Sequence, residues 1–520
     1  MVVNSKKIWQ SPEWASFLGA LISGVAVHAF AMVNVIHNYD NILQQPSGYG
    51  AGITSGRWLL EILGDLNDGL VELNYNLPTM NALGFLLLIA VATALLVNFL
   101  KIRNPVSAVL TGCLMATFPT VCSTMVFRYT APYYGVSLVL AVLAAWVIER
   151  WKFGFLLSAL CLACSMGIYQ AYPPFTISLL VLVLLRDSLE EDARLLPLIK
   201  RGVLYCVSLA LGVALYFVCL KASLAVYSLG GEVVLDSYQG ISTMGRISLA
   251  ALPSLIKKAW FSAALFFVKD YCELAAVRPL KILWLLLVLG ILVQVGYILL
   301  RKKTKPLLAA FGCLMGLIFP LAINFIVVMV PDGVVYTIMV YSFVLIGCAP
   351  LMLLECMPQD SGEKKNPFSW GIGLLLAGII LYNGYYTNLN YTSLYYANRQ
   401  VENFINGLTV QVRMTEGYTP EKKWAMLGNV DKFTLYDMWY ETPYYGGVVG
   451  NTAHNLFNTA YSRSFWFASY LGNCPDFASQ EEMDAMQEDS RVQQMPCWPA
   501  EGSVQILEDY VVIKFEELAS

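Results

Sequence analysis

Apolar residues in this chain gather into long runs. They fall at about 14–36, 81–100, 106–124, 133–149, 153–170, 173–186, 202–228, 279–300, 306–330, 334–355 and 368–388. A helix crossing a bilayer needs roughly 20 apolar residues. The pattern therefore predicts an α-helical polytopic membrane protein with about eleven transmembrane helices. The runs 153–170 and 173–186 are short and meet at Pro173-Pro174, so they are either two spans or one broken hairpin. Ala29-Phe30-Ala31 loosely matches a signal-peptidase site, but the length of the first run favours an uncleaved first helix.

Orientation follows from the basic residues beside the runs. Lys6 and Lys7 put the N-terminus inside. The same side then receives Lys101 and Arg103, Arg150 and Lys152, Arg186 to Arg201, Arg301 to Lys305, and Lys364 with Lys365, without any span having to be flipped. The outer side receives loop 37–80, the segment 125–132, the turn near 170–173, loop 229–278, the Pro331-Asp332-Gly333 turn and everything after about 390.

In loop 37–80, Trp58, Leu59, Ile62, Leu63 and Leu66 share one helical face and Glu61, Asp65 and Asp68 another, which predicts an amphipathic helix on the membrane surface. Ser254–Val268, with Trp260, Leu265, Phe266 and Phe267 beside Lys257, Lys258 and Lys269, reads either the same way or as a short re-entrant or ordinary surface helix.

After Tyr391 the pattern changes. Val401, Phe404, Ile405, Leu408 and Val412 recur at helical spacing, predicting a helix over Leu394–Met414. Lys423–Leu427 reads as a strand. Val504–Leu507 and Tyr510–Lys514 flank Glu508-Asp509 as a hairpin. The division is thus a membrane domain over 1–390 and a small extracytoplasmic α/β domain over 391–520.

Composition agrees. Of 520 residues, 57% are hydrophobic and 13% charged, against about 25% charged in soluble domains. The net charge of −3 gives no basic field for nucleic acid. Most of the cysteines, Cys161 and Cys164 among them, lie in apolar runs and act as small hydrophobes. Cys474 and Cys497 alone share a polar region, and would be placed to pair if that region is outside.

The densest polar cluster follows the first run: His37-Asn38-Tyr39-Asp40-Asn41, then Gly48-Tyr49-Gly50 and Thr54-Ser55-Gly56-Arg57-Trp58. Asp40 is a carboxylate at the outer boundary. Arg57 opens a helix, where a guanidinium beside free N–H groups suits phosphate. The plainer alternative is a solvated hairpin loop. Arg128 is either a second phosphate ligand or a snorkelling anchor, and Lys221 likewise. Tyr169, Gln170 and Tyr172 either line an acceptor cleft or belong to an aromatic belt. His28 is either functional or a packing histidine, and Asn324 suits a helix–helix hydrogen bond. Trp424, Tyr436, Trp439, Tyr440, Tyr444 and Tyr445 would stack on sugar, form a core or seat the domain on the membrane.

The stretch from His37 to Trp58 resembles the start of the bacterial Gtr-type, serotype-converting membrane glucosyltransferases, and the layout of spans and outer loops is similar. The resemblance implies a GT-C-like fold in the bacterial cytoplasmic membrane. It implies an inverting transfer of a sugar, typically glucose, from a polyprenyl-phosphate carrier to a surface glycan on the outer face. Asp40 is the position that matches the family's catalytic base, with phosphate held by Arg57, Arg128 and Lys221. Tyr39, Asn41, Trp58, Tyr169, Gln170 and Tyr172 would contact sugar or acceptor. Many GT-C enzymes pair acidic residues here, whereas Asn41 follows Asp40. A second carboxylate would come from Glu61, Asp65 or Asp68, and the need for a divalent cation stays open. The competing readings are a transporter or lipid/glycan flippase, which should bury charge near the midplane, and a polysaccharide polymerase or ligase.

Overall fold

Proline in the first turn starts helix after helix, since its missing N–H is one of the unsatisfied donors there. Pro12, Pro78, Pro105, Pro119, Pro173, Pro279 and Pro306 all sit at such positions. The computed structural model describes residues 11–44, 49, 52–71, 75–231, 233–235, 248–331, 333–358, 367–430, 433, 457 and 460–517. They fall into two units: residues 11–35 with 49–389, and residues 36–44 with 390–517.

In the first unit the helices are α1 (Pro12–Val33), α3 (Trp58–Val71), α4 (Pro78–Phe99), α5 (Pro105–Thr117), α6 (Pro119–Met125), α7 (Ala131–Ile148), α8 (Gly154–Ile168), α9 (Pro173–Ser188) and α10 (Leu195–Tyr227). They continue with α11 (Leu252–Ala264), α12 (Phe266–Lys269), α13 (Arg278–Arg301), α14 (Pro306–Ile323), α15 (Ile326–Met329) and α16 (Val344–Glu355), and α17 (Pro367–Met414) begins in the first unit and ends in the second. Short α2 (Tyr39–Leu43) belongs to the second unit.

All eleven apolar runs of the sequence contain helix. Among the described residues, seven helices are long and apolar enough to cross a membrane, and eight if α5 and α6, bent by 43°, form one span. The expected eleven therefore shrinks to seven or eight by length and composition, with α8 among the shorter apolar helices. Proline breaks the α5–α6 pair at Pro119 and α8 from α9 at Pro173.

The spans pack through small and hydroxylated side chains, because lipid provides no hydrophobic drive between them. A Cβ on Gly112 would stand 2.2 Å from the Ser16 carbonyl oxygen, so α1 and α5 approach backbone to backbone there. Ser137 and Ser165 each donate to the other's carbonyl at 2.8 Å, joining α7 to α8. His28 is fully buried and bonds the Ala116 carbonyl at 2.9 Å, which makes it a packing histidine. Asn324 bridges elements as expected: its Nδ2 donates to the Ala259 carbonyl and its Oδ1 accepts from Tyr271.

Two sequence readings change. The break expected between the last span and the helix after Tyr391 is absent, and α17 runs 48 residues without interruption. No proline stands between Pro367 and Met414 to stop it. The second amphipathic segment folds as α11 and α12. Leu255, Ala259, Ala263, Phe266 and Phe267 turn inward, while Lys257 and Lys258 remain exposed.

In the second unit, β1 (Lys423–Leu427), β2 (Val504–Leu507) and β3 (Tyr510–Lys514) form a sheet of order β1-β3-β2. β1 runs parallel to β3, and β2 and β3 make the expected hairpin through Glu508-Asp509. Trp424 is buried against Phe467, so of its possible roles the structure selects core. Tyr436, Trp439, Tyr440, Tyr444 and Tyr445 lie outside the described residues. Cys474 and Cys497 are not joined in a disulfide: the Cys474 thiol donates to the Pro475 carbonyl and the Cys497 thiol to Glu517 Oε1.

Helix α18 (Gln480–Gln487) is closed by a capping box, in which Ser479 and Glu482 bond each other's backbone N–H. Glu482 also accepts from Lys423 Nζ at 2.9 Å and the Tyr510 hydroxyl at 2.7 Å. The Ser479 N–H, then Lys423 and Tyr510, hold this carboxyl down to about 2. Because its folded value lies below its ordinary one of 4.5, its contribution is complete above pH 4.5 and is lost as pH falls toward 2. Hydrogen exchange of the full chain is expected to show β1 and β3 losing protection through that window, and Glu482→Gln is expected to flatten the dependence.

Candidate functional site

The segment 52–58 enters α3 through one 3₁₀ turn, Ile53–Ser55, that ends on Gly56 at φ 70°. Four groups fasten it. Gln170, which is buried, donates from Nε2 to the Ser55 carbonyl at 2.7 Å, and the Tyr216 hydroxyl donates to the Gly56 carbonyl at 2.9 Å. The Ile53 N–H donates to Glu61 Oε2 at 2.7 Å. Trp58, itself buried, lies against Gly167, where an added Cβ would come within 2.5 Å of the indole ring. Gly167→Ala is expected to cost ~1–3 kcal/mol by overpacking, to displace the indole, and to lower activity with stability. Thermal unfolding paired with an activity assay checks this.

This lock aims Arg57. Its guanidinium carbon stands 5.3 Å from the Tyr169 ring centroid and 5.9 Å from that of Tyr134. The two rings are stacked 4.1 Å apart. A cation over aromatic faces gains ~0.5–2 kcal/mol and keeps its planar fork oriented. Tyr172 packs edge-on against Tyr169 from a buried position.

One turn along α3 stands an acidic pair. The Tyr49 hydroxyl lies 2.7 Å from Glu61 Oε1 and 3.3 Å from Asp65 Oδ1, so its single proton goes to Glu61. Tyr227 donates to the other oxygen of Asp65. Burial, then the two carboxylates, push the Tyr49 phenol well above its ordinary value, which keeps it a donor. Asp68 is exposed farther along the helix. Among the described residues, no three histidine, cysteine, aspartate or glutamate side chains group to hold a metal ion.

The expected amphipathic helix forms as α3, with part of its apolar face uncovered by protein. Leu60 and Gly64 turn inward, whereas Ile62, Leu66 and Leu70 are 39%, 50% and 74% exposed. Leu63, Leu66 and Leu70, with Tyr75, Tyr129 and Tyr133, wall a mostly apolar cavity of about 500 Å³.

The remaining cations separate. Arg128 is 1% exposed and donates from Nη1 to the Asn34 carbonyl at 3.1 Å, tying α7's approach to the end of α1. That burial overturns the snorkelling reading. Lys221 is exposed on α10.

Asp40 belongs to the second unit. It lies on α2, capped by the Asn38 side chain, which accepts from the Asn41 N–H. Ile42 joins the core formed by Ala397, Val401 and Phe404. His37 exchanges backbone hydrogen bonds with the Asn398 amide at 2.7 and 2.9 Å and packs edge-on against Trp466. Asp40 is partly exposed and Asn41 is buried; the side chain of Tyr39 lies outside the described residues. The sequence cluster 37–58 is therefore divided between two units.

Sequence reasoning missed Tyr134, Tyr216 and Tyr227. Each lies on a distant helix, and nothing in its neighbourhood distinguishes it from a membrane-interface tyrosine.

Seven or eight apolar helices among the described residues, with a polar loop locked at the head of an amphipathic helix, define a multi-pass membrane protein. The chain belongs to the glucosyl transferase GtrII family, whose sequence model matches residues 29–347. It is thus a glucosyltransferase, and the transporter and flippase alternatives are set aside. No curated protein and no solved structure matches the chain.

Proposed function

We propose that this glucosyltransferase takes glucose from a polyprenyl-phosphate carrier and places it on a surface glycan at the outer face of the bacterial cytoplasmic membrane. The observation that carries this reading is Arg57, held across two stacked tyrosines at the head of a helix whose apolar residues wall a cavity. A cation at the head of a helix whose later turns wall an apolar cavity suits a ligand with a phosphate head and a prenyl tail. Arg57 binds the phosphate. Trp58, Tyr169, Gln170 and Tyr172 act from behind it as positioning residues, and Lys221 and Arg128 are secondary.

In this mechanism the Asp40 carboxylate accepts the proton of an acceptor hydroxyl. The acceptor oxygen bonds to the anomeric carbon as the bond from that carbon to the phosphate oxygen breaks. Polyprenyl monophosphate leaves with the electron pair, its charge met by Arg57. Attack from the face opposite the phosphate inverts the anomeric centre. Tyr39 orients the acceptor, buried Asn41 acts as a positioning residue for the helix that carries Asp40, and Glu61 with Asp65 supplies the second acidic group. The domain after residue 390 selects the acceptor.

The test is NMR of the product made by purified protein from polyprenyl-phosphate glucose and a surface glycan. The expected product has the anomeric configuration opposite to that of the donor. Retention would overturn the single-displacement mechanism, and failure of any glycan to accept glucose from this donor would overturn the donor assignment.

A further inference from the structure

A second cavity, of about 130 Å³, opens where α4, α9, α13 and α16 end. The apolar cavity beside α3 includes Tyr75 and Asn81, at the start of α4. Since 22 helical residues span ~33 Å, the two lie at opposite ends of a membrane-length helix. The charged lining consists of Lys101, Arg103, Arg186, Lys302, Glu190 and Glu355, four cations against two carboxylates.

Both carboxylates are already engaged. Glu190 accepts from Lys101 Nζ at 3.3 Å. Glu355 Oε1 accepts the backbone N–H groups of Arg103 and Asn104 at 2.9 and 2.8 Å, at the start of α5. Arg186 is 5% exposed; it pairs with Asp187 and donates from Nη1 to the Phe99 carbonyl. Lys302 donates to the Leu189 carbonyl, leaving further N–H groups on its ammonium. The Arg103 guanidinium is exposed and makes no hydrogen bond or ion pair among the described residues.

Helix C-termini ordinarily repel an anion, but here their carbonyls are answered. At the end of α4, Ile102 N–H bonds the Val97 carbonyl and Lys101 N–H that of Asn98, a Schellman closure. Lys101 holds the left-handed position of that closure at φ 57°, a conformation that favours glycine. Lys303 repeats the arrangement at φ 48° after α13, with Thr304 N–H on the Leu299 carbonyl. A lysine where glycine would be less strained implies a use for its side chain.

We propose that this cavity binds a phosphate-bearing anion, either the head group of an anionic phospholipid or free phosphate. Its lining carries a surplus of two positive charges, its unspent donors are those of Arg103, Lys101 and Lys302, and its volume admits one phosphate group. Basic pockets between membrane helices recognise head groups in this way.

The test uses the full-length protein in neutral detergent. Phosphatidylglycerol and phosphatidylethanolamine are titrated by native mass spectrometry, and inorganic phosphate by thermal shift. Preferential retention of phosphatidylglycerol supports a head-group site; a rise in melting temperature with millimolar phosphate supports a free anion. In either case the Arg103→Gln/Lys302→Gln variant is expected to weaken binding about fivefold per charge removed, equivalent to ~1 kcal/mol each. Lys101→Gly separates binding from structure. Relief of the left-handed residue should keep or raise the melting temperature while binding falls about fivefold. Glucosyl transfer should persist in both variants. Absence of binding to either anion, or unchanged binding in both variants, overturns the proposal.

Discussion

Arg57→Gln is expected to lower kcat for glucosyl transfer by about 10²–10³-fold, the usual loss when a group stabilising developing charge is removed. The phosphate gains charge as its bond to the anomeric carbon breaks, so the loss should appear mainly in kcat. Arg57→Lys is the informative companion. It keeps the charge but loses the planar fork that lies over Tyr134 and Tyr169, and an ammonium cannot hold a phosphate by two parallel N–H bonds. Recovery by lysine is expected to be partial, about tenfold above the glutamine variant. Steady-state kinetics of the two variants over a range of donor concentrations measures both effects. Full activity in Arg57→Lys would mean that only charge, and no directed fork, is required.

Asp40→Asn is expected to cost about 10²–10⁴-fold in kcat, the range of a general base removed from proton transfer. The amide keeps the size of the side chain and takes no proton. The helix that carries it is fixed by the Asn38 cap, the burial of Ile42 and the exchange between His37 and Asn398. None of these uses the Asp40 carboxylate, and thermal unfolding of the variant, measured beside its kinetics, separates loss of the base from loss of the fold. Donor binding should be kept. A variant that binds donor normally and transfers at the wild-type rate would remove Asp40 from the base role.

Much of the fold is legible because lipid makes strong demands on sequence. The apolar runs locate the helices, and Pro173-Pro174 marks a true boundary. The strands Lys423–Leu427, Val504–Leu507 and Tyr510–Lys514 follow from short alternating or apolar segments around a two-residue turn. Lengths are less legible. Prolines trim α5 and α8 below a full span, while polar but helix-permissive residues such as Asn388, Asn390 and Thr392 let α17 continue where a break is expected. Hydrophobic periodicity finds the apolar face of α3 but not which of its residues protein covers. An apolar face turned to the membrane leaves Leu66 and Leu70 uncovered by protein, while Gly64 faces inward against Tyr49.

The site is legible in part. Arg57 and the acidic residues of α3 are close in sequence, and the structure keeps them on one helix and its entry. What escapes is contact from afar. The platform under Arg57 needs Tyr134 and Tyr169, and the loop needs Gln170 and Tyr216. The polar cluster 37–58 reads as one feature, yet Ile42 and His37 are drawn into the core built by α17 and the C-terminal sheet. Arg128, with its aromatic neighbours, looks like a surface anchor and is instead buried on the Asn34 carbonyl.

The central claim concerns the donor. The most direct measurement gives purified protein a surface glycan with either polyprenyl-phosphate glucose or a nucleotide-activated glucose, and quantifies glucosylated glycan together with released polyprenyl monophosphate. One released carrier phosphate per glucose transferred from the lipid donor is expected, with no product from the nucleotide sugar. Transfer from the nucleotide sugar, or glucosylation without carrier release, would contradict it.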